Sequence, residues 1–220
     1  MSASSKRVAA KICGLKTAET VAAAVEHGAD VIGFNFFTRT PRYVEPATAG
    51  ALARSVPGHV VKTGLLVDDD DARIATILAA VPLDLLQLHG NETPERAAAI
   101  KAKFGIPVMK VIKVRDAADI ARAAGYEGAA DRLMFDAQPP AEMKNAMPGG
   151  NAVSFDWTLL QGFRSRLPWM LAGGLNPGNL AEAARQSGAS AVDVSSGVED
   201  RPGEKNINKI KDFLEVVRSL

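Results

Sequence analysis

The chain has 220 residues, 47 % hydrophobic and 23 % charged, with 26 basic against 25 acidic side chains and a formal charge of +1. That length suits a single domain, 1–220, and the balanced, interspersed charge supplies no dominant field for nucleic acid or an anionic membrane. One cysteine excludes an internal disulfide and a cysteine zinc site, no segment is long and apolar enough to span a bilayer, and MSASSKRVAA lacks the apolar core of a secretory signal, so a cytoplasmic location is the default expectation.

Short branched-apolar runs alternate with alanine-rich amphipathic stretches, the pattern of βα units. RVAAKICG reads as the first strand, with Thr17 capping the helix after it and Glu19 in its first turn. GADVIGFNFF is the second strand and HVVKTGLLV the third, followed by Asp68 to Asp71, acids placed to open a helix. LDLLQLHG is the fourth, after which Thr93 and Pro94 form an N-cap and first-position pair. IPVMKVIKV is the fifth, with Asp116 as the cap beyond it. DRLMFDA, LPWMLAGG and ASAVDVSSG complete the series, and Asn176–Pro177 reads as a second cap pair.

Eight such units in this length predict a closed (β/α)8 TIM barrel, joined by right-handed crossovers. A doubly wound open sheet is the competing architecture. Glycine position argues against it, because the first strand runs into CGLK rather than a GxGxxG fingerprint. The glycine-rich turns instead follow the seventh and eighth strands, AGGLNPGN at 172–179 and SSGVEDRPG at 195–203. A barrel holds phosphate at that point of its C-terminal face, which predicts a small phosphorylated substrate. The one long interruption, QPPAEMKNAMPGGNAVSFDW, follows the sixth strand. Its paired prolines exclude a regular helix, Gly149–Gly150 permit a sharp return, and its length suits a cover over a site as well as a plain surface insertion. Phe155 and Trp157 would tether it, to the core or to a pocket.

On a barrel the strand ends share one rim. This one offers Lys11 and Cys13, Asn35, Lys62 and Thr63, Gln87 and His89, Lys110, Asp136 and Asp193. Alternation lets only some of them face a ligand. Asp136, behind the apolar run RLMF, suits a general acid; a turn cap is the other reading. Cys13 reads in isolation as a small core hydrophobe, but a following helix terminus and Lys11 would lower its pKa toward a useful base. Of the three histidines only His89 reaches the mouth, and scattered histidines do not suggest a metal centre. Arg42, fixed beside Pro41, can clamp a carboxylate in bidentate fashion.

KICGLK, GADVIGFNFFTRTPRYV, LDLLQLHGNE, LMFDA, FDW, LAGGLNP and DVSSGVEDRPGEKN, in this order and nearly end to end, closely resemble the phosphoribosylanthranilate isomerase family of tryptophan biosynthesis. The resemblance implies a barrel without metal or organic cofactor; neither charge nor length excludes a monomer, which is the expected state, with a homodimer as the alternative. It implies an Amadori rearrangement of N-(5-phosphoribosyl)anthranilate with Asp136 as general acid and Cys13 as general base. Arg42 is implied for the anthranilate carboxylate, Gly173, Gly174, Ser196 and Gly197 for the phosphate, and Asp193 for the pocket near the ribose. Two departures stand out. GGNA replaces the family's GGTG, so a positive φ at Ala152 would cost about 1 kcal/mol or more. PGEKN replaces PGxKD, and Asn206 can still cap a helix. A barrel lyase using a Schiff base on Lys62 or Lys110, and a phosphosugar-binding module without catalysis, are the competing functions.

Overall fold

The computed structural model describes residues 7–143 and 147–220. Strands β1 (Ala9–Cys13), β2 (Val31–Asn35), β3 (Val61–Leu66), β4 (Leu85–Leu88), β5 (Val108–Val114), β6 (Arg132–Ala137), β7 (Trp169–Leu171) and β8 (Ala191–Val194) form a closed parallel barrel in chain order. Closure is direct: Lys11 of β1 pairs with Asp193 of β8 and with Val31 of β2. An open doubly wound sheet would break that sequential order and leave two edges.

Helices α1 (Ala18–Glu26), α2 (Pro46–Arg54), α3 (Asp71–Ala80), α4 (Pro94–Phe104), α5 (Ala117–Ala121), α6 (Leu180–Ser187) and α7 (Ile207–Arg218) surround it. Thr17, Thr93 and Asp116 each accept hydrogen bonds from the first-turn N–H groups, as expected, and among the acids after β3 Asp70 is the cap. The Asn176–Pro177 pair is not a helix cap. Asn176 Oδ1 accepts from Gly178 N at 2.8 Å, closing a local Asx turn, and α6 starts only after Asn179.

As the paired prolines predicted, the described residues between β6 and β7 hold no α-helix, only a 3-10 turn at Trp157–Leu160. Phe155 and Trp157 pack on the surrounding core rather than on the cavity. An unexpected hairpin, β9 (Glu199–Arg201) and β10 (Glu204–Lys205), follows β8.

Alternation along the strands sorts the chain into two apolar clusters. Ile12, Ile32, Phe34, Leu86, Ile112, Phe135, Leu171 and Val192 join the helices in the outer core. Leu85, Met109, Val111, Met134, Met170 and Ala172 fill the barrel interior. The same alternation turns Lys11, Cys13, Gln87, Asp136 and Asp193 inward, above this plug.

Ala152 does adopt a left-handed conformation, φ 56°. Ala152→Gly therefore relieves about 1 kcal/mol of strain but adds glycine's unfolded-chain entropy, leaving a net gain of about 0.5 kcal/mol. A thermal melt should show a rise of about 1–2 °C, and a fall would mean that the methyl group packs usefully.

Candidate active site

At the C-terminal mouth, a cavity of about 700 Å³, solvent at its opening included, is lined by Cys13, Arg42, Gln87, His89, Asp136, Gly173, Gly174, Asp193 and Ser196. The segment after β6 contributes Met147 to Asn151 and Val153 to its wall, so this loop covers the site.

Cys13 ends β1 and is 4 % exposed. Two residues earlier on the same inward face, Lys11 is fully buried and donates to Asp193 Oδ1 at 2.8 Å. The Lys11 ammonium also favours the thiolate of Cys13. Burial opposes the charge on Lys11, but Asp193 and Cys13 together hold its pKa above the ordinary lysine value. The thiol does not behave as the sequence suggested. Burial pushes its pKa up, and Asp193 adds to this, against the downward pull of Lys11 and Lys205. The helix that was to help begins only at Ala18, with Gly14 to Thr17 intervening.

Asp136 lies on β6 with both oxygens held. Oδ1 accepts from the N–H of Ala137 at 2.9 Å, and Oδ2 lies 3.1 Å from His89 Nε2. The other ring nitrogen of His89 lies 3.1 Å from Gln87 Nε2. Gln87, His89 and Asp136 thus form a chain of side chains in hydrogen-bond contact, so His89 holds the carboxyl group in place and Asp136 is no turn cap.

Arg42 is 4 % exposed in the loop after β2, which a backbone bridge between Asn35 and Tyr43 fastens to the strand end. Its Nε and Nη2 donate to Glu199 Oε1 and Oε2, each at 2.8 Å, and Nη2 also donates to the carbonyl of Gly150 at 3.1 Å. One edge of the guanidinium is thus already occupied by a side chain that sequence reasoning missed. Burial would raise the pKa of Glu199, but Arg42 and Lys205 hold it below the usual carboxylate value.

The two glycine-rich turns touch each other at the rim. Gly173 has φ 91°, and a Cβ there would come within 2.7 Å of the Ala137 nitrogen, so only glycine fits beside Asp136. Gly197 does not line the cavity. A Cβ on it would meet the Leu175 carbonyl at 1.9 Å, so its bareness lets the two turns touch. Ser195, which was not singled out, lines the cavity and donates to the Cys13 carbonyl at 3.3 Å.

Neither lysine of the Schiff-base reading reaches this space. Lys62 pairs with Asp84, and Lys110 is held by Glu92 Oε2 at 2.6 Å and the Gly90 carbonyl at 2.8 Å, outside the barrel. Lys11 does face inward, and its raised pKa keeps it an ammonium rather than a nucleophilic amine.

A family profile described as N-(5'phosphoribosyl)anthranilate (PRA) isomerase matches residues 10–216. The chain belongs to this family. The N-(5'-phosphoribosyl)anthranilate isomerase of Rhodospirillum centenum is 56 % identical over 213 residues, covering 97 % of this chain and 99 % of that protein. Two solved structures of phosphoribosylanthranilate isomerases agree in fold over 97 % of this chain and 100 % of theirs. One, from Thermotoga maritima and described as monomers of a dimeric enzyme, gives TM-score 0.82 at 34 % identity. The other, in complex with reduced 1-(o-carboxyphenylamino)-1-deoxyribulose 5-phosphate, gives 0.83 at 33 %.

As a phosphoribosylanthranilate isomerase, the chain converts N-(5-phosphoribosyl)anthranilate to 1-(2-carboxyphenylamino)-1-deoxyribulose 5-phosphate in tryptophan biosynthesis. The two departures from the isomerase pattern leave this site intact. Asn206 caps α7 by accepting from Lys209 N at 3.1 Å, and its Nδ2 donates to both oxygens of Asp200, where an aspartate would meet a like charge.

Proposed function

We propose that Asp136 is the general acid and Cys13 the general base of this isomerisation. The observation that carries the assignment is one cavity lined by a carboxyl, a thiol, a buried guanidinium and two glycine-rich turns. Asp136 gives its proton to the ribose ring oxygen as the bond from that oxygen to C1′ breaks, and the anilino nitrogen supplies the electrons for a protonated imine. The imine acidifies the C2′ hydrogen. Cys13, as thiolate beside the Lys11 ammonium, removes it, and the electron pair moves into a C1′–C2′ double bond, neutralising the nitrogen. The enolamine then gains a proton at C1′ and loses its hydroxyl proton to become the ketone. Return of the thiol proton to C1′ and of the hydroxyl proton to Asp136 restores both groups. Lys11 balances the charge of the base, and Asp193 holds Lys11 in place.

Arg42 receives the anthranilate carboxylate on the side left free by Glu199. The phosphate is held by backbone N–H groups of Gly173 and Gly174 and by that of Ser196, which opens a helical turn and so lacks an intrahelical acceptor. Arg42→Ala should raise KM about 10- to 100-fold, the loss of hydrogen bonds to a charged group, with kcat changed far less. Steady-state kinetics checks this; an unchanged KM with a collapsed kcat would move Arg42 into the chemistry. A complex with a reduced product analogue should place Cys13 Sγ at C2′ and Asp136 at the former ring oxygen.

The chain acts as a monomer in this reading. Ile207 and Leu220 are the large hydrophobic side chains exposed among the described residues, too few for a stable apolar interface. Sedimentation equilibrium should return the mass of one chain, and a dimer mass would reject the reading.

A further inference from the structure

The hairpin β9–β10 brings to the site a buried cation that sequence reasoning did not single out. Lys205, its side chain 1 % exposed, places Nζ 2.6 Å from Glu199 Oε1, 2.9 Å from the Ser195 carbonyl and 3.2 Å from Ser195 Oγ. The Ser195 hydroxyl itself donates to the Cys13 carbonyl, so all three neighbours face Lys205 as acceptors. Three acceptors match the three N–H donors of an ammonium ion.

Glu199 is shared. Its Oε1 accepts from Lys205 and from Arg42 Nε, and its Oε2 from Arg42 Nη2. Arg42 Nη1 has no acceptor among the described residues and lies beside Gly150 on the cavity wall. Two cations and one carboxylate, none with a side chain more than 5 % exposed, leave this cluster one negative charge short. A buried charge imbalance is unfavourable until an anion fills it.

We propose that Lys205 is a positioning residue that sets the site's preference for a carboxylated substrate. By engaging Glu199 it prevents that carboxylate from fully neutralising Arg42, so Arg42 meets the ligand carboxylate as an uncompensated cation. The inference rests on the assignment of Arg42 to the substrate carboxylate. A lysine that only braced the Ser195 turn would affect every phosphorylated substrate alike.

The test compares kcat/KM for N-(5-phosphoribosyl)anthranilate and for its carboxylate-free analogue N-(5-phosphoribosyl)aniline, with product followed by chromatography. Lys205→Met makes the cluster neutral, and the preference for the carboxylated substrate should fall about tenfold or more. Adding Glu199→Gln returns the cluster to a single positive charge, so the double variant should regain most of that preference. Equal losses on both substrates, or a double variant with less preference than the single one, would overturn the proposal. Where Lys205→Met fails to fold, Lys205→Gln keeps a donor toward the Ser195 carbonyl without the charge and must show the same loss. Arg42→Met separates the two levels. A preference unchanged in Arg42→Met overturns the Arg42 assignment and the proposal with it; a preference lost there but kept in Lys205→Met overturns the proposal alone.

Discussion

Asp136→Asn is expected to lower kcat by about 10³-fold, within the range of about 10²–10⁴ that positioned acid–base groups contribute, while KM changes little. The substitution is nearly isosteric. An amide oxygen can still accept from the Ala137 N–H or from His89, so the side chain keeps its place between the two groups that fix the carboxyl. What it loses is a transferable proton. Ring opening then expels an unprotonated alkoxide, and the barrier of that first step rises. The loss of substrate fluorescence during turnover measures the effect directly. A kcat within a fewfold of the unsubstituted protein would remove Asp136 from the acid role and leave His89, its 3.1 Å neighbour, as the proton donor to examine.

Cys13→Ser should be as damaging, about 10²–10⁴-fold in kcat, because a hydroxyl does not ionise where a thiol does. The pH profile separates this from a packing effect. A base works deprotonated, and burial pushes the Cys13 thiol above its ordinary value of about 8.5. Because the acid must stay protonated in the unsubstituted protein, the base is read in Asp136→Asn, where the residual kcat/KM should climb as pH rises through and beyond that range. Lys11, held above its own ordinary value, stays protonated over the same interval and continues to favour the thiolate. The rising limb should vanish when Cys13→Ser is added. A flat alkaline profile in Asp136→Asn would sink the assignment of Cys13 as the titrating base.

The strands were legible because each is a short apolar run bounded by turn residues, and local chemistry marks such boundaries. Thr17, Thr93 and Asp116 cap helices through bonds to N–H groups two or three residues on, an interaction that sequence spacing alone encodes. At the sixth unit proline and glycine reported that a helix is absent without reporting the 3-10 turn at Trp157–Leu160 that replaces it. Asn176 misled for a related reason, since an Asx turn and an N-cap draw on the same side-chain chemistry.

Cys13, Asp136 and Asp193 were legible as cavity-lining residues because barrel strands end on one rim, so position in the repeat locates a residue in space, and Arg42 was legible from the constrained loop beside Pro41. Glu199 and Lys205 gave no comparable signal. They sit on a hairpin outside the repeat, and their importance comes from partners 157 and 10 residues away in the chain.

The sequence by itself determined the eight-strand plan, the rim residues and, through motifs running the length of the chain, the reaction. Those depend on periodicity, local turns and residue type, all of which are written along the chain. Only the tertiary structure decided which lysine enters the barrel, that burial raises rather than lowers the Cys13 thiol, and that Arg42 shares Glu199 with Lys205. Protonation and charge compensation depend on depth and on the sum of neighbouring charges, and neither exists until the barrel closes.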